Sequence, residues 1–157
     1  MSDRSVTHAT FSIERTYDAR PTRVFAAWAD PVAKARWFIG PDEWESAEPE
    51  MDFRVGGRER TSGGPRGGPV FTYDARYQDI VLDQRIVLTY DMYMGETRMS
   101  VSLATVEFTP AGSGTRLVYT EHGAYLDGHD TPASREQGTI ALLDALGVAL
   151  QGAGASA

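Results

Sequence analysis

The sequence predicts an α+β fold in which a curved antiparallel sheet wraps one long C-terminal helix. Three observations predict it. Thr139, Leu142, Leu143, Leu146 and Leu150 recur at three- and four-residue spacings, which places them on one stripe of a helix. Nearly everything upstream runs in short stretches of alternating apolar and polar residues, the period of half-buried strands. Between the first two of those stretches the spacing turns helical for about twenty residues. A striped helix and a one-faced sheet each need covering, and packing one on the other covers both.

Phe11 to Tyr17 opens the alternation with Phe11, Ile13, Arg15 and Tyr17 on one face. Pro21 to Trp28 then reads as a helix with Val24, Phe25 and Trp28 together. Asp30-Pro31 restarts a second short helix through Phe38, with an aspartate cap and a proline at its first turn, and Gly40-Pro41 ends it. Trp44 to Val55 is extended and turns at Gly56-Gly57 into Arg58–Thr61. Ser62 to Pro69 reads as a flexible loop. It is no phosphate-binding loop, because no Gly-Lys-Ser/Thr follows and a strand comes next.

Val70 to Ile80 sets Phe71, Tyr73, Ala75 and Tyr77 on one face. Asp83-Gln84 turns into Arg85–Met94, where Ile86, Leu88, Tyr90 and Met92 align. Gly95-Glu96 leads into Thr97–Thr109, and residues 110–114 lead to a last strand with Leu117, Tyr119 and Glu121 on one side. Asp130-Thr131-Pro132 supplies a capping side chain and a first-turn proline for the long helix, which Gly152 and Gly154 are expected to stop.

The 157 residues are enough for one domain, with a structured core over about residues 8–152. The absence of cysteine excludes disulfides and thiol chemistry and fits a cytoplasmic protein. No run of 18 apolar residues marks a membrane span, and the first residues lack the apolar core of a signal peptide. A net charge of −7 without a basic cluster argues against nucleic acid. There is a single lysine, Lys34, beside fourteen arginines, a bias of composition.

The order of elements and several of its motifs resemble the START-like helix-grip superfamily. Within it, the chain is similar to the branch related to the C-terminal domain of the Hsp90 ATPase activator. The matching pieces are Pro21 to Trp28, Asp30-Pro31 through Trp37, and Arg54-Val55-Gly56-Gly57. Gly114-Thr115-Arg116-Leu117, Thr120 through Gly128, and Gly138-Thr139 complete them. The resemblance spans about Phe11 to Leu150 and implies a seven-stranded sheet around the last helix, with two short helices between strands 1 and 2. Many relatives carry Gly-Trp where this chain has Gly138-Thr139, which implies a roomier or more polar wall there. The superfamily holds lipid carriers, polyketide cyclases, antibiotic-sequestering proteins and co-chaperone domains, so fold alone does not give function.

A sheet that holds a helix without closing leaves an apolar cleft with a few fixed polar groups. Its expected lining is Trp28, Trp37, Phe38, Phe71, Tyr73, Tyr77, Tyr90, Met92, Met99, Tyr119, Thr139 and Leu143. Taken singly, these residues also suit plain core packing. Glu121 stands out, since strand parity turns it inward beside Leu117 and Tyr119. A carboxylate among apolar groups can serve as acid or base; otherwise it is a strand-end glutamate that pairs with an arginine, Arg76 or Arg98, or reaches solvent. His122, His129, Asp127 and Asp130 lack the convergent spacing of a metal site, so neither a metal nor another cofactor is expected.

Three functions follow. The first is binding of a small hydrophobic or aromatic molecule for transport, sequestration or sensing. The second is cyclase- or hydratase-like catalysis, in which Glu121 with Tyr73, Tyr90 or Arg76 acts on a polyketide-like substrate. The third, implied by the resemblance alone, is a co-chaperone surface for an Hsp90-type ATPase. An open sheet also leaves edges that a homodimer would protect.

Overall fold

The computed structural model describes residues 4–155, with side chains described through residue 152. β1 (Val6–Tyr17) alternates as expected and turns Phe11, Ile13 and Tyr17 inward. Pro21, with its fixed φ, opens α1 (Pro21–Ala29), whose buried side is Val24, Phe25, Ala27 and Trp28. Asp30 ends α1 and caps α2 (Pro31–Lys34) by accepting a hydrogen bond from Val32 N at 3.1 Å.

The extended stretch expected over residues 44–55 is split into β2 (Trp44–Ser46) and β3 (Glu50–Met51), both paired with β4 (Arg58–Pro65). Pro49 between them offers no N–H, which interrupts the ladder. The sheet therefore has eight strands, one more than expected. Residues 62–65 also depart from expectation. They belong to β4, paired with β2 on one side and β5 on the other, so the loop shrinks to residues 66–70.

β5 (Phe71–Val81), β6 (Arg85–Met94), β7 (Thr97–Ala111) and β8 (Gly114–Leu126) follow as a meander. β1 pairs antiparallel with β8, giving the order β1-β8-β7-β6-β5-β4-β2. Asp127 and Gly128, with φ of 57° and 71°, turn the chain out of β8. Thr131 Oγ1 then accepts from Ser134 N at 3.1 Å and starts α3 (Pro132–Ala155). α3 does not stop at Gly152 or Gly154 but runs to Ala155. Glycine permits a helix end without forcing one, and each costs only about 1 kcal/mol in a helix.

The inner face of the sheet holds the core. Leu143, Leu146 and Leu150 of α3 join Phe11, Ile13, Leu117 and Tyr119 of the sheet and Phe25 and Trp28 of α1. Two hydrogen bonds to helix carbonyls seat α3. Tyr17 donates its hydroxyl to Leu143 O at 2.7 Å, and Arg23 donates to Leu150 O. Among the described residues, no helix is long and apolar enough to cross a membrane.

Candidate functional site

Alternation along β8 turns Leu117, Tyr119, Glu121, Gly123 and Tyr125 inward. Glu121 has no exposed surface, so its carboxylate needs partners in place of water. Tyr119, two residues earlier on the same face, donates to Glu121 Oε1 at 2.6 Å. Tyr90 of β6 donates from 3.0 Å to both carboxylate oxygens. β7 lies between those two strands, and its inward residues there are the small Ser102 and Ala104. Their size lets Tyr90 and Glu121 meet above it.

The cation of the cluster is Arg135, in the first turn of α3 and 8% exposed. It donates to Ser100 Oγ at 2.7 Å, Tyr90 OH at 2.9 Å and Asp130 Oδ2 at 3.0 Å, and lies 3.5 Å from Glu121 Oε2. A cation at a helix N-terminus opposes the helix dipole, so these sheet partners and Asp130 are what hold it there. Burial works against its charge, yet Tyr90, Glu121 and Asp130 outweigh that and hold its pKa above the ordinary arginine value. Burial, with the charge of Glu121 added, pushes the Tyr90 hydroxyl well up; burial, Tyr90 and Glu121 do the same to Tyr119. Both phenols therefore act as neutral donors.

A second buried cluster lies under α2. Lys34 Nζ is 2.6 Å from Glu59 Oε1 of β4, and Tyr77 of β5 donates to the same oxygen. Lys34 Nζ also sits 4.3 Å from the Phe38 ring centroid and 5.6 Å from that of Trp28, both within range of cation–π attraction.

An aromatic run joins the two clusters. Tyr119 stacks on Trp28 at 6.4 Å, and Trp28 meets Trp37 edge-on at 4.7 Å. Trp37 meets Phe38 at 5.6 Å, Phe38 meets Tyr73 at 5.0 Å, and Tyr73 meets Tyr90 at 4.7 Å. Trp37 is fixed by donating Nε1 to Ala27 O at 3.0 Å. From the helix side, Thr139 and Leu143 are buried, and Met92 packs half-buried against the core.

The structure thus groups Trp28, Trp37, Phe38, Tyr73, Tyr90 and Tyr119 with Glu121. Tyr77 belongs to the Lys34 cluster. Phe71 instead stacks on Trp44, with ring centroids 5.3 Å apart, and Met99 is buried apart from the main core.

Neither arginine expected beside Glu121 is there. Arg76 donates to Gly56 O, and Arg98 lies against Tyr93 and Asp91; both side chains sit on exposed positions. Arg135 has their place. Its signal in the sequence is position, because it lies four residues before Thr139 and extends the buried stripe by one turn. Lys34 was legible only as a compositional oddity.

His122 faces outward, bonded to Thr10 Oγ1 at 2.9 Å, while Asp127 accepts from Ser5 N and Asp130 from Arg135. On the outer face, a polar recess of about 290 Å³ is lined by Arg60, Thr72, Asp74, Tyr93, Gly95 and Glu96, apart from the aromatic run.

The family model described as Activator of Hsp90 ATPase homolog 1-like protein matches residues 18–151. The solved Mll3558 protein from Rhizobium loti is 52% identical, covers 92% of this chain and 99% of its own, and superposes with a TM-score of 0.86. An uncharacterised protein from Rhizobium leguminosarum is 44% identical over 96% of this chain and 99% of its own, with a TM-score of 0.91. The AHSA1-like protein from Aeromonas hydrophila, 22% identical over 93% of this chain and 94% of its own, shares the fold at a TM-score of 0.68. No curated protein matches the chain.

Proposed function

The chain belongs to the Activator of Hsp90 ATPase homolog 1-like family, and from that premise we propose that it binds a small hydrophobic or aromatic molecule between the sheet and α3. The observation behind this reading is the buried Glu121–Arg135 cluster at the end of the run of Trp28, Trp37, Phe38 and Tyr73. A buried ion pair contributes little net stability compared with an apolar replacement, so stability gives a weak reason for it. Aromatic walls ending in a few convergent polar groups are the make-up of small-molecule sites. The rings would take the ligand's body and the polar cluster its polar end.

A thermal-shift screen of wild type and Glu121→Gln against flavonoids, polyketide aromatics, fatty acids and sterols tests the reading. A ligand at a hundredfold its Kd stabilises the fold by about 2.7 kcal/mol, a clear rise in Tm. The expected result is a shift with a planar aromatic in both proteins. A panel without any shift counts against binding.

One observation favours a second reading, catalysis at Glu121. Two phenols and a guanidinium converge on that carboxylate, as acid–base chemistry on a polyketide-like substrate requires. Turnover of a shifting ligand by wild type, lost in Glu121→Gln while binding persists, would decide for it.

A further inference from the structure

Among the described residues, three buried side-chain polar atoms have no hydrogen-bond partner: Trp28 Nε1, Tyr125 OH and Asp83 Oδ1. Asp83 sits at the β5–β6 turn, where its other oxygen accepts from Thr22 Oγ1, and it makes no contact with the polar cluster. The other two are on residues that touch the aromatic run and the polar cluster. Trp28 is part of the aromatic run. Tyr125 is 1% exposed, with its ring lying across Gly123, where an added Cβ would come within 3.0 Å of both ring and hydroxyl. The Arg135 guanidinium lies 5.3 Å from that ring's centroid.

An unpaired buried hydroxyl costs stability, and phenylalanine would fill the same volume without it. Both unpaired atoms can donate, and an indole N–H can only donate. An acceptor is therefore the one partner that would satisfy both atoms. Charge narrows the choice further. Arg135 already faces two carboxylates, Glu121 and Asp130. A ligand carboxylate would add a third negative group against one positive. An ammonium would bring further donors and a second positive charge beside the fixed Arg135 cation.

We propose that the site takes a neutral aromatic ligand bearing a carbonyl oxygen, an aryl ketone in class, which accepts a hydrogen bond from the Tyr125 hydroxyl beside Arg135. This rests on the binding reading above and names the ligand's polar group.

The test uses one ring skeleton with four polar groups: fluorene, 9-fluorenone, 9-fluorenol and fluorene-9-carboxylate, titrated calorimetrically into wild type and Tyr125→Phe. The expected result is that fluorenone binds about tenfold tighter than fluorene, with fluorenol between and the carboxylate weakest. Tyr125→Phe should erase the ketone's advantage while its own Tm holds or rises, a combination that a purely structural hydroxyl would not give. Equal affinity for fluorene and fluorenone, or a preference for the carboxylate, overturns the inference and leaves cleft binding standing. So does a Tyr125→Phe protein that melts several degrees lower or fails to fold, since its hydroxyl would then have a structural partner. If no member of the series binds, the binding reading falls and this inference falls with it.

Discussion

Lys34 Nζ stands 2.6 Å from Glu59 Oε1, with side-chain exposures of only 4% and 3%, and it is the one lysine in the chain. The pair ties α2 to β4. A four-residue helix has too few hydrogen bonds to hold itself, so this contact and the Phe38 ring fix its place.

Breaking that pair from one side leaves a buried charge without compensation. Lys34→Met or Glu59→Gln alone should each lower stability by about 3–5 kcal/mol. The double variant should recover most of the loss, since Tyr77 keeps an acceptor in glutamine. Urea denaturation of all four proteins gives the cycle. Purely additive losses would mean that the two groups do not depend on each other.

Arg135 should not tolerate lysine. Its planar fork reaches Ser100, Tyr90 and Asp130 at once, and an ammonium cannot match those directions. Arg135→Lys should cost about 1–3 kcal/mol through partners left unpaired. Arg98→Lys, on the exposed face, should cost under about 0.5 kcal/mol. Equal effects in parallel denaturation curves would remove Arg135 from its anchoring role.

Alkaline pH should unfold the protein cooperatively. Burial, as the leading cause, raises the pKa of Tyr17, Tyr73, Tyr77, Tyr90, Tyr119 and Tyr125, the last to about 12. Unfolded tyrosine titrates near about 10, so the folded state keeps protons that the unfolded state releases. The sign follows from that difference: the contribution is whole below pH about 10 and is lost as pH rises through the folded values. Tyrosinate absorbance of these six should therefore appear together with loss of the far-ultraviolet signal. A gradual phenolate rise with the fold intact would contradict the burial.

Two glycines should respond in opposite directions. A Cβ at Gly114 would stand 2.3 Å from Tyr17 O, so Gly114→Ala must push apart the β7–β8 turn and the end of β1. Gly138 lies exposed in α3 with nothing within 4 Å of an added Cβ, so Gly138→Ala should stabilise by about 0.5–1 kcal/mol. Melting temperatures of the two variants, one lower and one higher than wild type, check this.

Sequence pattern specifies the architecture: the strand meander, the two short helices, the long C-terminal helix and the inward face of Glu121. Those features follow from period, capping and turn residues, which act between neighbours along the chain. The second short helix, expected through Phe38, ends at Lys34 and continues as turns; β4 and the end of α3 also differ, because glycine and proline there allow an interruption without requiring one. The composition of the polar clusters was decided only by tertiary structure. Glu121 meets Arg135 and Tyr90, and Lys34 meets Glu59, across 14, 31 and 25 residues of chain. Which arginine or phenol reaches a buried carboxylate depends on how strands and helices stack and on the small Ser102 and Ala104 between them. Local spacing carries no record of such distances, whereas burial of a charge selects whichever partner the packing brings within reach.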